Sequence, residues 1–194
     1  MFDRYGMDIC DQRWGPEATA VCLAPDWRGP LPPRANPQIA ERRGVDLNPL
    51  QIGNAADELR LLACLWPDQT ETMARTRATM ALADTPVDSG AAIAWQAGRL
   101  ATPWPGRLHL IYHTIAGQYF SADGQDRGRA LIRAAGAAGT ATTTATPPTW
   151  LGIEADADPD RAGLTLQLWP GNLTLHLDRA GVHAQWVEWT GGVG

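Results

Sequence analysis

The chain has 194 residues, 44% of them apolar and 19% charged, with 20 Gly, 15 Pro and a formal net charge of −5. That profile is a globular chain long enough to bury a core, and it excludes coiled coil and wholesale disorder. All 16 cations are Arg and Lys is absent, so a Schiff-base lysine, a phosphate-loop lysine and a lysine general base are excluded.

Residues 1–37 are rich in Trp, Gly and Pro and read as an irregular arm with one short strand near 20–23; residues 38–194 read as one α/β domain. IAERRGVDLNPL predicts a strand closed by Gly44 and Asn48-Pro49. Asn54 follows as a helix cap, with Leu59, Leu62, Ala63 and Trp66 on one face and Pro67 as the break. Asp68 with Glu71 resembles a capping box opening a second helix that carries Met73, Met80 and Leu82 inward to Pro86.

A third helical pattern spans 88–100 through Ile93, Gln96 and Leu100. PWPG then turns into RLHLIYHTI, which reads as the clearest buried strand. A fourth helix runs from Asp123 to Ala135, with Leu131 and Ile132 inward and Gly136 placed to end it. The low-complexity tract GAAGTATTTATPPT is a loop with a weak strand. TWLGIEA, LTLQLW, LTLHL and VHAQWVEW are strands separated by DADPDRAG and PGN. Strands alternating with helices and then an antiparallel tail predict an α/β sheet, mostly parallel, with a C-terminal hairpin at one edge.

Several function classes drop out. An acidic chain without an Arg run lacks the footprint of a nucleic-acid binder. Ser89 and Ser121 are the only serines and neither sits in a G-x-S-x-G elbow. No stretch is apolar enough for a membrane span, and MFDRYGMDIC carries no apolar signal region. Cys10, Cys22 and Cys64 form no C-x-x-C pair, which fits a reducing, cytoplasmic setting.

Three constellations carry chemistry. In GVDLNPL, Asp46 and Asn48 follow a strand; a carboxylate there offers two acceptor oxygens to a ribose, and the structural alternative is an Asx turn before Pro49. The window about 20 residues upstream, TAVCLAPDW, lacks the expected glycine turn. His109 and His113 stand about 13 Å apart on a strand, too far to share a metal, so no metal site is expected. His113 and Thr114 instead end a strand at the edge where open α/β sheets bind ligands, and a neutral imidazole there is a candidate base; the alternative is a structural, hydrogen-bonded histidine. Gln118 and Tyr119 follow closely enough to share its crevice. Asp68 and Gln69, beside Trp66, are pocket candidates whose alternative is helix capping. Trp66 and Trp169 are the two tryptophans flanked by polar motifs.

DRYGMD, WRGPLP, ERRGVDLNPL, RLLACLWPDQ, LIYHTIAGQYF, LTLQLWPG and RAGVHAQWVEW together resemble the carboxy-terminal part of the bacterial family called domain of unknown function 2332, over residues 2–189. The resemblance implies a Rossmann-like sheet of the class I S-adenosylmethionine-dependent methyltransferase type. It also implies longer relatives whose glycine segment, of the type G-A-S-A-G-L-N-L, lies before DRYGMD, so the first strand and glycine loop are expected to be missing here. Carried over, Asp46 matches the ribose acid, Asp88 the position near the adenine, and His113 and Thr114 the active-site lining. The implied function is an S-adenosylmethionine-dependent, methyltransferase-like nucleoside-binding domain with His113 as base; the alternative is a non-enzymatic interaction or sensing module. The expected partner is a small molecule, with neither nucleic acid nor membrane. A sheet lacking its central strand exposes edges, which invites homo-oligomerisation.

Overall fold

The computed structural model describes residues 3–102, 104–140, 147–158 and 160–191. The chain divides into two compact units, Met1–Ala24 with Pro33–Ala92, and Pro25–Pro32 with Ile93–Gly194.

The first unit opens with strands β1 (Gly6–Ile9), β2 (Gln12–Trp14) and β3 (Cys22–Leu23), in the order β2-β1-β3. The β1–β2 hairpin turns at Cys10 and Asp11, whose φ values of 46° and 61° are those of a primed hairpin turn. Ile9 and Val21 are buried beneath it. Residues 1–37, expected to be irregular with one strand near 20–23, therefore hold four strands, these three and Asp26–Arg28. The missed signal is a hairpin turn written Cys-Asp rather than Asn-Gly.

Strand β4 (Asp26–Arg28) belongs to the second unit. Strand β5 (Gly44–Asp46) pairs in parallel with β6 (Val87–Ser89), and helices α1 (Ala55–Ala63) and α2 (Thr70–Leu82) lie between them in sequence. Asn54 caps α1 as expected, its Oδ1 accepting from Ala56 N at 3.0 Å and Asp57 N at 3.3 Å. Of the face expected to turn inward, Leu62 is half-buried, but Ala63 is exposed, Leu59 is 67% exposed and Trp66 73%. Asp68 does not cap α2 either; Gln69 holds the cap position and makes no side-chain hydrogen bond there. Of the α2 side chains expected inward, Met80 is buried while Met73 and Leu82 are half-buried.

The second unit is built on a six-stranded sheet ordered β4-β11-β10-β9-β8-β7, with β7 at His109–Thr114, β8 at Pro148–Ala155, β9 at Arg161–Leu168, β10 at Leu173–Gly181 and β11 at Trp186–Trp189. The sheet is mixed. Pairs β7–β8 and β4–β11 are parallel, and the three pairings from β8 to β11 are antiparallel, so the C-terminal part is a four-stranded meander rather than one hairpin. Leu164, Leu177 and Ala180 form its buried cluster, with Leu151, Ile153, Leu166, Leu175, Val187 and Trp189 packed around them. The strand expected to be most buried, β7, lies at the sheet's edge, and its residues alternate between half-buried and exposed.

Helices α3 (Ala92–Leu100) and α4 (Ala122–Thr140) complete the four α-helices of the described residues. Gly136 does not end α4. Gly124, Gly128, Ile132 and Gly136 recur every four residues as the buried stripe of that helix. A Cβ at Gly136 would lie 2.3 Å from the Trp169 ring, and one at Gly128 would lie 2.9 Å from Ile93 Cδ1. These glycines are spent on close packing, which sequence spacing cannot tell apart from a helix stop. Residues 141–146 of the low-complexity tract lie outside the described residues; its first five residues, expected in a loop, complete α4 instead, and Pro148 and Thr149 open the strand β8.

Candidate functional site

The β5–β6 pair places the candidate ribose acid. Asp46 is the last residue of β5, exposed, with Ser89 opposite it in register. Its Oδ1 accepts the Asn48 N–H at 2.8 Å, an Asx turn leading into Pro49, while Gly90 N donates to the Asp46 carbonyl at 2.9 Å. Asp88 stands opposite Val45. Because successive strand residues point to opposite faces, this register sets the Asp46 and Asp88 side chains on opposite faces of the pair. Arg43 shares the Asp88 face and grips both of its oxygens, at 3.0 and 2.8 Å. Asp46 and Asn48 are thus brought together by the turn, and Asp88 is not brought to them.

The β5–α1 connection is acidic at close range. Asp57 Oδ2 accepts Gln51 N at 3.0 Å and Glu58 Oε1 accepts Gly53 N at 2.8 Å, so α1's own carboxylates answer the backbone donors in front of the helix. Asp68 and Gln69 are exposed on the turn before α2, where backbone bonds, Gln69 N to Trp66 O and Thr70 N to Asp68 O, define the turn.

His113 lies in the second unit, on β7. Its register partner on β8 is Gly152, flanked two residues either side by Trp150 and Glu154 on the same face. The ring lies against this position: a Cβ at Gly152 would make ordinary van der Waals contact, 3.5 Å from imidazole Cε1 and Nε2. The imidazole spans the gap, with Nδ1 2.6 Å from Glu154 Oε1 and Nε2 accepting the Trp150 indole N–H at 2.9 Å. An indole only donates, so Nε2 is the bare nitrogen and Nδ1 carries the proton given to Glu154. Glu154 Oε1 also accepts Ala116 N at 3.1 Å and Gly117 N at 2.8 Å, from the turn that follows β7 and passes through Ile115 at φ 48°. Partial burial pushes the Glu154 carboxyl upward, but the Gly117 N–H, His113 and the Ala116 N–H outweigh it and hold it below the usual carboxylate range.

Thr114 points to the face opposite His113, and Gln118 and Tyr119 are exposed on the short 3-10 turn Gly117–Tyr119, Tyr119 by 80%. None of the three has a hydrogen bond to His113 among the described residues. The partners that do define the site, Trp150 and Glu154, escaped the sequence reading. Their signal was the period-two series Trp-x-Gly-x-Glu in TWLGIEA, an acid on the face of a strand otherwise read as apolar.

Among the described residues no group of three His, Cys, Asp or Glu side chains gathers to hold a metal, and the three cysteines are unpaired. No described helix is long and apolar enough to cross a membrane. No curated protein and no solved structure matches the chain. The family model described as an uncharacterized protein conserved in bacteria, DUF2332, matches residues 1–189, almost the whole length, and the protein belongs to that family.

Proposed function

We propose that the chain is a nucleoside-binding domain of the methyltransferase-like kind, taking S-adenosylmethionine or its demethylated product by the ribose at Asp46. The observation that carries this reading is the position of Asp46: an exposed carboxylate at the carboxyl end of the first strand of a parallel β–α–β unit, where such sheets bind ligands. The Asx turn occupies Oδ1 and fixes the side chain, and Oδ2 is the atom presented to a sugar hydroxyl. Asp57 and Glu58 fill the donors ahead of α1, which disfavours a phosphate and suits a ligand whose sulfonium is cationic. When bound, that group supplies an electrophilic methyl. The chain's own residues bind and orient it, Asn48 by holding the turn and Asp46 by accepting hydrogen bonds. Asp88, clamped by Arg43 on the other face, serves the strand pair instead.

Titration calorimetry of this chain with S-adenosylmethionine, S-adenosylhomocysteine and adenosine tests the reading. Asp46→Asn keeps an acceptor for the turn but loses the charge and one acceptor oxygen, and should weaken binding about tenfold, the size of a charge-assisted hydrogen bond. Absence of heat with all three ligands overturns it.

A second reading is favoured by one observation. Both ring nitrogens of His113 are engaged, Nε2 by Trp150 and Nδ1 by Glu154, so the imidazole has no lone pair open to a substrate proton. This supports a module that binds without transferring, with His113 tying β7 to β8. His113→Gln should then leave ligand affinity unchanged while lowering stability.

A further inference from the structure

A groove of about 460 Å³ lies between α4 and the β9–β10 turn, lined by Arg133, Ala137, Trp169, Gly171 and Asn172. Its size falls within the roughly 300–1,000 Å³ of small-molecule sites. The groove is distinct from Asp46 and from the His113 cluster, and each wall has a visible cause. Gly136 lets the Trp169 ring lie directly on α4, since a Cβ there would come within 2.3 Å of Cδ2 and Cε2. Gly171 at φ 98° and Asn172 at φ 50° fold the turn over beside the ring.

Two polar groups sit on this largely apolar surface. Gln167, only 6% exposed, donates from Nε2 to Asn172 Oδ1 at 2.7 Å. A buried side chain thus fixes the Asn172 amide from below, and the Nδ2–H₂ end becomes the donor that Asn172 presents. Arg133 is the cation. On the same helix Arg127 and Arg129 pair with Asp123 and Asp126, whereas Arg133 has no ion pair among the described residues.

We infer that this groove binds a planar aromatic monocarboxylate, its ring against Trp169 and its carboxylate between the Arg133 guanidinium and the Asn172 amide. One guanidinium and one amide donor match the two oxygens of a carboxylate, and guanidinium is the cation best suited to that planar geometry. The apolar lining around Ala137 and Trp169 asks for an apolar, flat body, which argues against inorganic phosphate and against a polar sugar.

The test uses indole-3-acetate as probe and indole-3-acetamide as its neutral counterpart, titrated into the chain and followed by nitrogen-15 NMR. The acid should move the Trp169 indole and Asn172 side-chain amide signals, and the amide should bind about tenfold more weakly, as expected for loss of a hydrogen bond to a charged group. Arg133→Gln, a change at an exposed helix position, should erase that difference with the fold intact. Equal affinity for acid and amide, signals moving elsewhere, or no movement with millimolar acid overturns the assignment. Binding of S-adenosylmethionine is unaffected by Arg133→Gln in either case, so failure here is separable from failure at Asp46.

Discussion

The two units hold themselves together differently. In the second, a six-stranded sheet and a glycine-striped helix bury Ile132, Ala162, Leu164, Leu177 and Ala180, and even its polar Thr149 and Gln167 are sealed in. In the first, Ile9, Val21 and Met80 are the buried apolar side chains among the described residues, α1 buries none, and Leu47 is 79% exposed. Its visible ties are ion pairs: Arg42 to Asp3 at 2.7 Å and to Asp84 at 3.3 Å, Arg43 to Asp88 at 2.8 Å, and Arg4 to Asp84. Partly exposed pairs of this kind contribute at most about 1 kcal/mol each, against about 2–5 kcal/mol for one buried leucine. The candidate ribose acid is therefore carried by the more weakly packed unit, as ligand-binding elements commonly are.

Substitutions that touch one unit sharpen this contrast. Leu177→Ala should have the largest effect, about 2–5 kcal/mol lost in urea denaturation, because it opens a cavity in the sheet's buried cluster. Gly136→Ala should come next, at about 1–3 kcal/mol, because the added methyl must displace the Trp169 ring. That sign is opposite to the usual gain from Gly→Ala within a helix, so a stabilised variant would contradict the packing described for α4. In the first unit, Asn54→Ala removes the cap of α1 and should cost about 0.5–2 kcal/mol, read as faster amide exchange at Ala56 and Asp57.

The smallest effect is a pH dependence. Glu154 is held below its ordinary value, so its contribution is fully present above about pH 4.5 and fades as pH falls through the lower folded value. Glu154→Gln should flatten that acid limb of stability and leave the neutral region's slope unchanged. An unchanged acid limb would remove Glu154 as the anchor of the His113 cluster.

How much of this was legible in the sequence follows from what each feature depends on. Asn54 as a cap, and the strands around TWLGIEA, LTLQLW and LTLHL, are local, set by side-chain chemistry and alternation over a few residues. The Asx turn at Asp46 is equally local, set by a carboxylate two residues before the Asn48 N–H it accepts. Register was not legible. His113 meets Trp150 and Glu154 because Gly152 stands opposite it, a pairing across 39 residues that no periodicity announces. The role of Gly136 was hidden for the same reason: a glycine near a helix end reads as a stop until the tryptophan resting on it is seen. The exposed Leu59 and Trp66 show the converse, an amphipathic pattern that the described residues leave in the open.

The most direct test of ribose binding is a nitrogen-15 NMR titration of this chain with S-adenosylhomocysteine, run beside the Asp46→Asn variant. The amides of Asn48 and Gly90, which hydrogen-bond to Asp46 itself, should shift on saturation, and the variant should need about tenfold more ligand. Shifts that avoid these two amides, or an identical titration curve for the variant, would contradict the assignment of Asp46 as the ribose acceptor.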